Sequence, residues 1–331
     1  MVKVGLLGAG GIGKVHAGAY ERIAGAKVVA VADLMRERAE SVAAPFQARV
    51  YEDWRPLLDD ADVQMVDICL PTYLHEPAVV AAAQAGKHIL SEKPITLSLA
   101  QADRMLDAVK QAGVQAMIAQ VIRFWPHYLA IKKLLDSGDL GAPVMAQAAR
   151  LGSLPAWSSW YADPALSGGA LLDLHIHDLD WLYYLFGMPK TVYAMGRKLE
   201  SGAWNQILTS LDFGASQAAA EASLLMPKGF PFTMIFRMLG EKGYAEYQTG
   251  GIQANPHTAE RTHMLVVCKN EQLEALDCVA DDPYEAEIRY FVDCLNEGRA
   301  PAIATLDEAR DVLKIVMAVR QSLESGQVVT V

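Results

Sequence analysis

The stretch "MVKVGLLGAGGIG" (residues 1–13) joins an apolar run directly to glycines at 8, 10 and 13. G-x-G-x-x-G alone is a weak signal, so its surroundings carry the reading. The helical pattern "KVHAGAYERIA" (14–24) follows, then the apolar run "KVVAVAD" (27–33), whose terminal Asp33 lies 20 residues past Gly13. Strand, glycine turn, helix and strand-end acid, in that order, are the elements of a dinucleotide-binding βαβ unit. Gly8 permits the tight turn, Gly10 lets backbone approach a pyrophosphate, and Gly13 lets helix and strand pack closely. The amides of Gly11 and Ile12, at the helix N-terminus, are the expected anion donors. A carboxylate at Asp33 would bind the ribose hydroxyls and repel a 2′-phosphate, which favours NAD over NADP. The plainer alternative is an ordinary βα turn ending in a polar residue. Arg36 and Arg38 are the side chains that could instead reach a 2′-phosphate, although their helical pattern suits a solvated face.

The alternation continues outward through "RERAESVAAPF" (36–46), "VQMVDICLP" (63–71), "EPAVVAAAQAG" (76–86) and "KHILSEKP" (87–94). Repeated strand–helix units predict a parallel, doubly wound sheet with helices on both faces, over a first domain of residues 1–120. From "PVMAQAARLG" (143–152) the pattern changes. "TVYAMGRKLE" (191–200), "NQILTSLDF" (205–213), "QAAAEASLLM" (217–226) and "FTMIFRML" (232–239) alternate with period two, which predicts a large, mostly antiparallel sheet with one covered face in a second domain, 121–331. Two helical patterns close the chain, at 283–298 and 305–326, and they are placed where they can pack back toward the first domain. Thr305 with Glu308 three residues later predicts a capping box.

Composition bounds the function. With 331 residues, 52% hydrophobic and 21% charged, the chain is a globular protein able to bury two cores. A formal net charge of −10 opposes binding to nucleic acid or an anionic membrane. No apolar run approaches the ~18 residues of a membrane span, and the N-terminus enters its first strand without a leader pattern. Cys69, Cys268, Cys278 and Cys294 show no C-x-x-C spacing, so a reducing cytoplasm is the expected location.

In open α/β sheets ligands bind outside the carboxyl ends of the strands. "CLPT" (69–72) and "SEKP" (91–94) are two such ends, and Lys93 falls where a nicotinamide would meet its substrate, unless it is a surface lysine in the turn before Pro94. A second dense region is "LLDLHIHDLD" (171–180). Read as a helix at about 100° per residue, it puts Asp173, His177 and Asp180 on one face and sends His175 and Asp178 to another. Two histidines about 160° apart cannot easily share one ion, so no metal is expected; as a strand the H-x-H pair would face one way and suit a metal. An imidazole, with an ordinary pKa near ~6.5, is well poised to take a hydroxyl proton, and Asp173 one turn earlier can orient it. His175 either narrows the pocket, contacts substrate or bonds Asp178 in the interior, the last being the default expectation. Gly168 and Gly169 either admit a ligand or relax the turn into the helix. Just before them, Trp157, Trp160 and Tyr161 either stack on a sugar or cyclitol face or brace their loop.

The chain resembles the Gfo/Idh/MocA oxidoreductase family through "GAGGIGKVHA", "ICLPTYLHEPAVVAAAQAGKHILSEKP", "GGALLDLHIHDLDWLYYLFG" and the closing segment from Pro283. The resemblance implies a Rossmann domain followed by an open-faced α/β domain, and a polyol, inositol or sugar as substrate. It places the E-K-P motif on Glu92, Lys93 and Pro94, and D-x-x-x-H on Asp173 and His177, with Lys93, Asp173 and His177 catalytic. Leu70, Pro71, Thr72, His75 and Glu92 would border the cofactor, and Arg123 would lie near nicotinamide and substrate; on the residue reading above, Trp157 and Trp160 are the candidates to pack on the substrate. It further implies a homodimer or homotetramer built on the open sheet face. Two alternatives remain at this point: transient NAD oxidation that enables an elimination or glycoside cleavage, and a non-catalytic dinucleotide-binding regulator.

Overall fold

The structure, a computed structural model, describes residues 1–154, 160, 163–250, 263–278 and 281–331. The chain divides into two compact units, the first comprising Met1–Phe124 and Asp281–Arg310, the second Trp125–Ala280 and Asp311–Val331.

The first unit is a six-stranded parallel sheet in the order β3-β2-β1-β4-β5-β6, where β1 is Val2–Leu7, β2 Ala26–Ala32, β3 Arg49–Tyr51, β4 Met65–Ile68, β5 His88–Glu92 and β6 Ala116–Ala119. That is the dinucleotide-binding order, with the switch point between β1 and β4. Helix α1 (Gly11–Tyr20) follows β1, α2 (Arg36–Ala43) follows β2, α3 (Trp54–Leu58) follows β3, α4 (His75–Gln84) follows β4 and α5 (Leu99–Ala112) follows β5. The central strands are buried on both faces, which explains their continuous apolar runs. Polar residues interrupt those runs at Asp67 of β4, which is fully buried, and at Ser91 and Glu92 of β5.

The second unit begins with α6 (Pro126–Asp136) and builds a nine-stranded sheet from β7 (Pro143–Leu151), β8 (Thr191–Lys198), β9 (Trp204–Asp212), β10 (Gln217–Ser223), β11 (Thr233–Gly240), β12 (Gly243–Thr249), β13 (His263–Lys269), β14 (Gln272–Leu276) and β15 (Val329–Thr330). Its strand pairings are antiparallel among the described residues except β7 with β10, which is parallel. The period-two pattern works as expected: Asn205, Ile207, Thr209 and Leu211 of β9 are buried, while Leu208 between them is exposed. Between β7 and β8 lie α7 (Pro164–Ser167) and α8 (Ile176–Phe186), and Trp181 of α8 meets Tyr128 and Phe236 edge-on in the core.

The closing helices are α9 (Pro283–Glu297) and α10 (Leu306–Ser325). Helix α9 shares the core of the first unit, where Ile288, Phe291 and Val292 pack with Val4, Leu6, Ala17 and Met117. The capping box of α10 forms, with the Glu308 amide donating to Thr305 Oγ1 at 3.2 Å and the Thr305 amide donating to Glu308 Oε2 at 3.0 Å. Among the described residues no helix is long and apolar enough to cross a membrane. The four cysteines are free thiols.

Candidate active site

In the first unit the glycine loop is set by collisions that only glycine avoids. Gly8 sits at φ +99°, and a Cβ there would lie 2.5 Å from the Cys69 carbonyl oxygen. A Cβ on Gly13 would lie 2.0 Å from the Gly8 carbonyl oxygen, so α1 could not pack this close to the turn. Gly10 and Gly11 differ: nothing lies within 4 Å of a Cβ built on either. That open space lies over the first turn of α1, whose amides have no intrahelical acceptor, and it fits a pyrophosphate. Ile12 turns its side chain onto the core.

Asp33 stands beside the loop. Its Oδ2 accepts from the Ala9 amide and its Oδ1 from the Met35 amide, both at 2.8 Å. These bonds hold the carboxylate at the end of β2 and leave it acceptor capacity for a diol. Arg36 is committed elsewhere, to Glu40 at 2.7 Å and Glu52 at 3.0 Å. Asp33→Asn is therefore expected to lower kcat/KM for NAD by roughly 10-fold or more, the worth of hydrogen bonds to a charged acceptor, and to raise the relative rate with NADP. Steady-state kinetics with both cofactors checks this, and an unchanged NAD/NADP ratio would remove Asp33 from ribose recognition.

The loops after β4 and β5 are tied together. Buried His75 lies with Nδ1 2.8 Å from the Pro94 carbonyl oxygen and Nε2 2.8 Å from the Leu70 carbonyl oxygen. Burial lowers its pKa below the ordinary imidazole value, against the two carbonyls, which raise it. Pro71 opens the short turn Thr72–Leu74, and Thr72 is buried. Glu92 ends β5 and is buried; its Oε2 accepts from the Lys93 amide at 3.0 Å. Lys93 itself is partly exposed. Arg123 is 1% exposed and pairs with Glu308, Nη1 to Oε2, at 2.9 Å. The structure thus gives Arg123 an intramolecular partner in the capping box of α10.

In the second unit the residues 171–180 are helical, as the pattern predicts, with one difference: Leu171–His175 are wound as a π-helical turn before α8. Such turns recur at functional sites. Every residue from 171 to 180 is buried except Asp173 and His177, which are partly exposed. The opposite side faces the sheet. There His175 Nε2 lies 2.9 Å from Thr209 Oγ1 of β9. Burial and the nearby Arg150 push the His175 pKa down to about 3, so the ring is neutral. Asp178 receives Arg150 of β7, Nη2 to Oδ1 at 3.0 Å and Nε to Oδ2 at 3.3 Å. The expected His175–Asp178 bond is therefore corrected, because each residue takes its partner from a different strand of the sheet. Asp180 is fully buried. Gly168 is also explained: at φ +75°, a Cβ would lie 2.3 Å from Leu172 Cδ1, so this glycine serves the turn into the helix.

Trp160 packs beside the small apolar cluster of Ala170, Leu174, Ala222 and Leu224, as a loop brace would. Trp157 and Tyr161 lie outside the described residues. Sequence reading passed over His16, Asp67 and Glu287, which meet in a buried cluster with Glu92. Two signals pointed to it: a carboxylate inside the apolar run "QMVDIC", and Glu287 on the apolar stripe of α9 between Tyr284 and Ile288.

A glycine loop at the switch point of a 3-2-1-4-5-6 parallel sheet, with an acid at the end of β2, is the arrangement of a dinucleotide-binding domain. Residues 2–120 match the oxidoreductase family with the NAD-binding Rossmann fold, and residues 128–246 match the GFO/IDH/MocA C-terminal domain. The chain belongs to the Gfo/Idh/MocA family and is an NAD-binding oxidoreductase. It is 30% identical to the uncharacterized oxidoreductase YrbE of Bacillus subtilis, over 100% of this chain and 96% of that one. With scyllo-inositol 2-dehydrogenase (NAD(+)) of the same organism the identity is 29%, over 98% of this chain and 95% of the relative. The solved structure of levoglucosan dehydrogenase in complex with NADH and levoglucosan is 25% identical, with a TM-score of 0.86, covering 100% of this chain and 99% of that one.

Proposed function

We propose that this protein oxidises a secondary alcohol of an inositol, sugar or related polyol with NAD, and that the same site reduces the corresponding ketone. The observation that carries the proposal is the exposure pattern of 171–180, where only Asp173 and His177 remain accessible along an otherwise buried helix. A partly exposed pair one turn apart is worth only about 0.2–0.5 kcal/mol to a helix, so stability alone gives little reason for it.

His177 takes the hydroxyl proton as general base, and Asp173 orients the ring and stabilises the imidazolium. Lys93 donates a hydrogen bond to the same substrate oxygen as it gains alkoxide character. The nicotinamide, when bound, supplies the hydride acceptor. Gly8, Gly10, Gly11, Ile12, Gly13 and Asp33 hold the dinucleotide, with Leu70, Pro71, Thr72, His75 and Glu92 shaping the adjoining loops. Arg123 and Trp160 would act from beside the substrate, Arg123 by way of its pairing with Glu308. The names of the inositol and levoglucosan relatives support the substrate class.

The outer face of the large sheet carries exposed Tyr193, Met195, Leu208, Leu239 and Met264. Met195 pairs directly with Leu208 across β8 and β9, which makes the patch continuous there. This supports a homodimer or homotetramer formed on that face, in a cytoplasmic enzyme.

The test is NADH formation from myo-inositol, scyllo-inositol and levoglucosan, run in parallel with NADP and with a chelator. Turnover with NAD that resists chelation is expected. Cofactor binding with no net NADH from any polyol would favour transient oxidation or a regulatory role.

A further inference from the structure

Behind the E-K-P strand end, four elements of the first unit bring titratable side chains into one buried cluster. His16, from α1, donates from Nδ1 to Asp67 Oδ2 at 2.9 Å and from Nε2 to Glu92 Oε1 at 3.1 Å. The Tyr20 hydroxyl donates to the same Asp67 oxygen at 3.0 Å. Cys69 Sγ lies 3.4 Å from His16 Nδ1. Glu287, from α9, completes the group: ligand-type atoms of His16, Glu92 and Glu287 all lie within 4.8 Å of one another. His16, Asp67 and Glu287 are 0% exposed, and neither carboxyl oxygen of Glu287 has a hydrogen-bond partner among the described residues.

We propose that His16 is a positioning residue for Lys93, with Glu287 closing the cluster behind it: His16 holds the Glu92 carboxylate, and Glu92 holds the Lys93 amide through its other oxygen. The chain of contacts is continuous. His16 engages Glu92 Oε1, and Glu92 Oε2 accepts from the Lys93 amide at 3.0 Å. One carboxylate therefore clamps the turn that begins at Lys93, and its own orientation is set from behind by an imidazole that Asp67 keeps in place. A buried histidine between two carboxyl groups holds its proton; burial opposes the charge, but Asp67 and Cys69 carry its pKa well above the ordinary value. Glu287 cannot also ionise cheaply beside Glu92 in a dry interior, and burial first, then Glu92, raises its pKa well above that of a free carboxyl. The groups facing the cluster are His16 and Tyr20 from α1, Asp67 and Cys69 from β4 and its end, Glu92 and Lys93 from β5, His75 from α4, and Asp282, Tyr284 and Glu287 from the α9 segment.

The sign of the pH effect follows. A carboxyl whose folded pKa is raised weakens the folded state as pH climbs above the free value of 4.5, because the unfolded chain ionises there and the folded chain does not. Glu287→Gln removes that penalty while keeping shape, so its melting temperature relative to the parent rises further at about pH 8 than at about pH 5.

The proposal rests on the proposed role of Lys93, and the experiment separates the two. His16→Gln and Glu287→Gln are assayed in the full-length protein with the polyol that turns over fastest, alongside NAD binding and melting at both pH values. His16→Gln is expected to lower kcat at least about 10-fold while the NAD Kd changes less than about threefold, the signature of a misplaced group rather than lost binding. A kcat within about twofold of the parent in His16→Gln overturns the proposal. So does a melting difference for Glu287→Gln that is the same at both pH values, a test that stands even if His16→Gln fails to fold. Retention of one zinc per chain, lost in both variants, would overturn it in favour of a metal site. If Lys93→Met leaves turnover intact, the role of Lys93 fails instead, and the melting comparison still reports on the cluster alone.

Discussion

Lys93→Met is expected to lower kcat by about 10²–10⁴-fold with each polyol that the parent oxidises, because it removes the cation proposed to stabilise the forming alkoxide. NAD binding, followed by quenching of protein fluorescence, should change far less, since the proposed dinucleotide contacts are those of the glycine loop and Asp33. Lys93→Arg is not expected to rescue. A planar guanidinium cannot occupy the position of a compact ammonium on a turn whose amide is fixed by Glu92. Loss of NAD affinity together with kcat would instead mark Lys93 as a binding residue. A kcat close to that of the parent would sink its catalytic role.

His177→Asn should be comparably damaging, about 10²–10⁴-fold in kcat, because asparagine preserves hydrogen-bonding size and removes the base. Asp173→Asn leaves the imidazole but withdraws its charged partner, with a smaller loss of about 10–10²-fold. The double variant should be no worse than His177→Asn, since residues acting as one unit are not additive. Strict additivity would mean that the two side chains act separately. Substitution of His175 supplies the contrast. Its neutral ring sits against Thr209 on the sheet side of the helix, so its replacement should report in thermal stability rather than in the pH profile of kcat.

Much of this architecture was legible in the residues because local pattern and tertiary role coincide. Gly8, Gly13 and Asp33 each obey a constraint expressed within one βαβ unit, and the structure shows the two collisions and the two amide bonds that enforce it. The period-two strands 191–223 read correctly for the same reason. What escaped depends on partners far away in sequence. His175 looks to Asp178 when only the helix is considered; Thr209 and Arg150 reach them from strands whose register no short window specifies. The π-helical turn at 171–175 has no composition of its own that marks it. Helix α9 closes its hydrophobic stripe against β1, β6 and α1, residues more than 150 positions earlier, and it carries Glu287 with it. The His16 cluster therefore assembles only when four separate elements come together.

His75 has a mechanical consequence. A single side chain spans the carbonyls of Leu70 and Pro94, so it works as a crossbar between neighbouring loops that otherwise share no covalent link shorter than the whole of α4 and β5. A neutral imidazole donates to only one of the two carbonyls at a time, so local opening of either loop strips one wall from the slot that holds the ring. The two should therefore fluctuate as one cooperative unit, with a common opening energy rather than two. A rim built this way resists piecemeal fraying, and whatever widens it must widen both sides at once.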